Sequence, residues 1–134
     1  ESEYAIEGID FGRRLAVEKE FEAAVANGTA TSCNILFDES GQFLMYSTML
    51  GIKVLNMQTN TVSRLLGKVE GTERFTALAL FQGTVKQDQA IFQLAQKDLG
   101  VKEVEFDQPD PCLFSLAYKR LRFYIFSRRE PEDP

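Results

Sequence analysis

Few residues in this chain have the types and spacing for chemistry. It contains no histidine among 134 residues, so a serine or cysteine nucleophile has no imidazole base and zinc has no nitrogen ligand of the usual kind. Cys33 and Cys112 stand far apart and form no Cys-x-x-Cys pair. Two buried, reduced thiols are the expectation, with a disulfide as the lesser alternative. The dense carboxylates are Asp38-Glu39 and the set Glu18, Glu20 and Glu22. Asp38-Glu39-Ser40-Gly41 has the composition of a tight turn, not the separation across a cleft that an acid–base pair requires. It also lacks the alternating oxygen ligands of a calcium loop. Gly8 and Gly12 are not followed by the Lys-Ser/Thr of a phosphate loop. The sequence therefore assigns no catalytic, cofactor-binding or metal-ligating residue, and no cofactor.

One constellation remains. Lys119, Arg120, Arg122, Arg128 and Arg129 lie among Tyr118, Phe123 and Tyr124, and cations interleaved with aromatic rings can follow a nucleic-acid backbone and stack its bases. The alternation of Phe123 and Ile125 against Tyr124 and Phe126 is instead that of a packed strand, and Glu130, Glu132 and Asp133 offset the charge. The strand reading is preferred, and direct nucleic-acid binding is not expected.

The elements that would position these residues are mostly short strands. Residues 34–67 read as four of them, over 34–38, 42–48, 52–56 and 61–66, separated by Asp38-Glu39-Ser40-Gly41, Met49-Leu50-Gly51 and Met57-Gln58-Thr59-Asn60. That spacing suits an antiparallel meander. Phe43 to Tyr46 form a nearly continuous apolar run, as in a strand covered on both faces. Upstream, Asp10 is placed to cap a helix over 10–26, with Phe11, Leu15, Val17, Phe21, Ala24 and Val25 near one face and Asn27-Gly28 to end it. Arg14 and Glu18 have the spacing of an exposed pair. The helix is expected to pack on its own sheet rather than on a partner.

Downstream, residues 72–82 read as an inner strand, with Phe75, Ala77, Ala79 and Phe81 on one face and Leu78 and Leu80 on the other. Residues 83–111 are ambiguous: Ile91, Leu94, Ala95 and Leu99 fit a helix, residues 90–94 fit a short strand, and 101–106 alternate. Residues 112–118 and 121–127 form an aromatic hairpin, and 128–134 are a charged, proline-bearing linker.

Four blocks in order, IDFGRRLAVEKEFE, FDESGQFLMYSTMLGIKVLNMQTNTVSRLLGK, ALFQG and RFYIFSRREPED, resemble the last WD repeats of the WD-repeat-containing cyclophilin-type peptidyl-prolyl isomerases. In that family a β-propeller precedes a linker and a C-terminal cyclophilin domain. The resemblance implies an all-β segment, a partial WD-repeat β-propeller of about two antiparallel blades with an N-terminal α-helix. It divides the chain into a lead-in and linker helix over 1–30, a four-stranded blade over 31–67, a last partial blade over 68–127 with an insertion at 83–111, and a linker from 128. Departures are visible. The Gly-His and Trp-Asp dipeptides of the repeat are absent from 34–67. The Phe-His-Arg block and the Trp of a cyclophilin site have no counterpart in a chain without His or Trp. The resemblance thus implies a non-catalytic protein-interaction scaffold in a nuclear, spliceosome-associated isomerase, with spliceosomal or chromatin-associated protein partners. Two blades cannot close a propeller, so the isolated segment is expected either to self-associate or to cover its open surface with the helix and the 83–111 insertion.

Composition bounds the rest. One domain is the default at this length, and 44% apolar residues with 11 Phe suffice for a core. A net charge of -5 gives no overall attraction to nucleic acid or anionic membrane. With neither a long apolar run nor an opening signal segment, the chain reads as soluble and not secreted. Two other classes are weighed: a small independent enzyme, disfavoured for want of a catalytic set, and a small β-barrel holding an apolar ligand, which the phenylalanines permit.

Overall fold

A computed structural model describes residues 4–83 and 111–128, which are mostly β with one helix. The alternatives weighed for 84–110 lie outside the described residues. Helix α1 (Gly8–Ala26) is followed by β1 (Ile35–Phe37), β2 (Phe43–Thr48), β3 (Gly51–Asn56) and β4 (Thr61–Leu66). These four strands pair in sequence order as one antiparallel meander, at the places where local alternation put them. The β2–β3 turn needs its glycine. Gly51 has φ +136°, and a Cβ there would stand 2.4 Å from the Leu66 carbonyl oxygen.

The second sheet consists of β5 (Phe75–Phe81), β6 (Cys112–Ala117) and β7 (Phe123–Ser127), antiparallel in that order. Among the described residues β5 stands at the edge of this sheet, where an inner strand was expected. A register shift between Phe75 and Leu78 turns Phe75 onto the face of Leu78 and Leu80, so the strict alternation read from the sequence fails at this bulge. Ala77, Ala79 and Phe81 are left exposed. The described strands close no barrel, and the apolar-ligand alternative thereby loses its enclosed cavity.

The two sheets share one core. Met45 and Ile52 from the first meet Phe75, Leu78 and Leu113 from the second, with Leu36, Val54, Leu66, Leu80, Tyr124 and Phe126 around them. Asn34 joins the sheets through its side chain. Its amide donates to the Leu78 carbonyl at 2.8 Å and accepts the Leu78 N–H at 2.7 Å, as a neighbouring strand would.

Helix α1 clasps one end of both sheets. Buried Arg14 donates to the carbonyls of Met49 at 3.1 Å and Lys68 at 2.5 Å, on the first sheet. On the second, Arg74 donates to Glu18 at 2.5 Å, Lys119 pairs with Glu20, and Phe21 meets Tyr118 edge-on at 5.2 Å. Two expectations are corrected. Glu7, whose side chain makes no capping bond, stands at the N-cap. Asp10 lies in the first turn and takes Arg14 at 3.1 Å, so the Arg14–Glu18 pair is replaced by Arg14–Asp10, of the same reach, and by Glu18–Arg74 across the fold.

Candidate functional site

The basic residues of the β6–β7 hairpin were the only cluster with a possible binding chemistry, and the fold uses most of them. Glu73, buried just before β5, accepts from Arg122 at 2.5 Å and pairs with Arg120 at 3.5 Å. Its hydrogen bond and charge raise the Arg122 pKa, and Glu20 does the same for Lys119. Tyr118 is held against Phe21, and Tyr124 lies edge-on to Phe75 at 5.1 Å. Burial, followed by the Glu73 carboxylate, pushes the Tyr124 phenol above its ordinary 10.0. Of the three rings suggested for stacking, only Phe123 presents itself to solvent. Arg128 lies away from this cluster and Arg129 is outside the described residues.

The Asp38 turn is equally self-contained. Ser40 Oγ donates to both carboxylate oxygens, at 2.9 and 2.7 Å, and the Phe43 N–H donates at 3.1 Å. Slight burial works to raise this pKa, but the hydrogen bonds from Ser40 and from the backbone prevail and hold it below 3.8. A carboxyl with a depressed folded pKa stabilises the fold above its unfolded value, and that contribution is lost as pH falls through the folded one. Asp38→Asn is therefore expected to destabilise the protein at pH about 6 and to converge with the wild type as the pH approaches about 2. Urea melts of both proteins across that range check it; a constant gap would mean that the turn needs the side chain's shape rather than its charge.

Cys33 and Cys112 are free, half-buried thiols. Among the described residues no three His, Cys, Asp or Glu side chains gather as a metal site, and no helix is long and apolar enough to cross a membrane.

What the fold does present is an apolar surface. Strict alternation on β6 and β7 sends Leu113, Ser115, Ala117, Tyr124 and Phe126 toward the first sheet, and leaves Phe114, Leu116, Phe123 and Ile125 outward at 37–61% exposure. Ala77, Ala79 and Phe81 of β5 adjoin them through the sheet register. A solvated sheet face is normally polar, and a patch of this kind marks a contact surface. The sequence held the signal in the alternation of Phe123 and Ile125 against Tyr124 and Phe126. Nothing local indicated that just one of the two faces would be covered.

No protein-family model matches the chain. It is 47% identical over 131 residues to a peptidyl-prolyl cis-trans isomerase of Arabidopsis thaliana, covering 98% of this chain and 20% of that protein. It is 45% identical over 125 residues to the human peptidylprolyl isomerase domain and WD repeat-containing protein 1, covering 93% of this chain and 19% of the relative. A Schizosaccharomyces pombe peptidyl-prolyl cis-trans isomerase is 38% identical over 129 residues, with 95% and 20% covered. The chain thus has homologues named as peptidyl-prolyl isomerases, one of them also by its WD repeats, and spans about a fifth of their length.

Proposed function

We propose that this chain is a non-catalytic, protein-binding segment of a peptidyl-prolyl isomerase, comprising two neighbouring blades of a WD-repeat propeller. The first blade is 31–67, entered by the helix of 1–30. The second is 68–127 with its insertion at 83–111, and the residues from 128 lead toward a cyclophilin domain. On this reading the parent is nuclear and its partners are spliceosomal or chromatin-associated proteins, as the family resemblance implies.

The observation that carries the proposal is the outward face of the second sheet. The core lies between the two sheets, yet Phe114, Leu116, Phe123 and Ile125 point away from it. A sheet apolar on both sides belongs inside a stack of sheets, and a ring of blades supplies the next layer. The name of the human relative agrees with such a ring. Rotation about a prolyl amide must cross a barrier of roughly 18–20 kcal/mol, and the cyclophilin blocks that would lower it are not found in this sequence.

Two readouts on the purified chain test the proposal. In a prolyl-peptide assay, cis–trans relaxation is expected to keep its uncatalysed pace of roughly tens to hundreds of seconds. Catalysis by this chain would reverse the reading. In light scattering, the mass is expected to rise with concentration as outward faces pair, and Leu116→Lys with Phe123→Lys to abolish the rise. A monomer at every concentration would remove the support that the exposed face gives.

A further inference from the structure

At the end of the sheets opposite α1, a cleft of about 270 Å³ opens between them. Its apolar lining is Met45, Val54 and Leu66 from the first sheet and Leu80, Leu113 and Phe126 from the second, with Ser63, Gln82 and Ser127 as polar neighbours. The volume falls just below the roughly 300–1,000 Å³ of small-molecule sites, and suits one or two large side chains rather than a cofactor. Its rim is cationic. Arg64 on β4 and Arg128 after β7 stand on opposite walls, exposed, and among the described residues neither makes an ion pair or hydrogen bond. At the clasped end, by contrast, Arg14, Arg74, Arg120 and Arg122 all have carboxylate partners. Asp38 also lines the cleft, but its oxygens are engaged by Ser40 and Phe43 within its own turn.

We propose that this cleft receives an extended acidic peptide of a protein partner, one apolar side chain entering between the sheets while flanking carboxylates meet Arg64 and Arg128. An extended segment alternates its side chains, so an acidic–apolar–acidic triplet places the central group and its neighbours on opposite sides of the backbone. Guanidinium groups bind carboxylates in paired, directional hydrogen bonds. The walls select an apolar residue at the centre, and the rim selects against basic neighbours. The inference takes the class of partner from the scaffold reading and takes the site from the cleft alone.

The test is fluorescence anisotropy with a labelled heptapeptide in which glutamate alternates with leucine and phenylalanine. The wild-type chain is expected to bind it saturably, about tenfold or more weakly in salt of about 0.5 M, and about tenfold or more weakly after Arg64→Gln with Arg128→Gln. A peptide with glutamine in place of glutamate should show the same loss. Both arginines are exposed, so an unchanged melting temperature will show that the variant is folded. No saturable binding, or binding indifferent to the two arginines, overturns the proposal. Binding that appears only after Glu103, Glu105 and Asp107 are replaced by Gln also overturns it, by assigning the cleft to this chain's own acidic residues. Prolyl-isomerase activity would sink the scaffold reading and leave this result standing; lost binding sinks the cleft alone.

Discussion

Replacing Phe75 by alanine is expected to cost the protein about 3–5 kcal/mol, a large part of the roughly 5–15 kcal/mol that holds a domain folded. Phe75 is 1% exposed and sits where the sheets meet. Its ring lies edge-on to Tyr124 at 5.1 Å and to Phe126 at 5.7 Å. On its other side is Gly67, with φ +75°, where a Cβ would come within 2.5 Å of the ring. Alanine removes the ring from all three contacts at once and leaves a cavity among the core side chains of both sheets. Thermal unfolding checks it: the midpoint should fall by roughly 10 °C or more. A fall of a degree or two would mean that the sheets are held by something other than this contact. Gly67→Ala approaches the same site from the opposite side, by overpacking.

The second large effect is expected at Arg14→Met, which keeps most of the stem and deletes the guanidinium. The Met49 and Lys68 carbonyls lose their donor and Asp10 loses its pair. Part-buried acceptors that lose a charged donor give a cost of about 1–3 kcal/mol. The loss should also be localised. Glu18–Arg74 and Phe21–Tyr118 still fasten the C-terminal half of α1 to the second sheet, so hydrogen exchange should accelerate in residues 8–17 more than in 18–26. Equal acceleration along the helix would show that it detaches as one unit.

The difference between what the sequence disclosed and what it concealed follows the range of each interaction. Strands β1 to β4 are set by turn chemistry and alternation within a few residues, and both are visible in residues such as Gly41 and Gly51. The end of α1 is likewise local, at Asn27-Gly28. Concealed were the contacts that reach across the fold. Arg14 and Glu18 have the spacing to pair with each other, yet Arg14 bonds Lys68, 54 positions on, and Glu18 bonds Arg74, 56 positions on. A helix docked over two sheet ends gives Arg14 the carbonyls of the first sheet and Glu18 a guanidinium of the second, so the two are drawn to different partners. Phe75 was assigned to the wrong face because a bulge adds one residue and inverts the alternation preceding it. The basic hairpin looked available because Glu73, which takes Arg120 and Arg122, lies nearly fifty positions upstream.

The clasp of α1 also orders the events of biosynthesis. The helix is made well before the second-sheet partners that it clasps: Arg74 lies 56 residues beyond Glu18, and Lys119 lies 99 beyond Glu20. At elongation rates of about 5–20 residues per second, the nascent helix waits roughly 5–20 s for the hairpin that it holds. Throughout that interval Phe21 lacks the Tyr118 ring, and a free helix of 19 residues is marginal in water. The four-stranded meander, whose contacts are local, closes in the meantime. The arrival of β6 and β7 therefore seats the second sheet and the helix together.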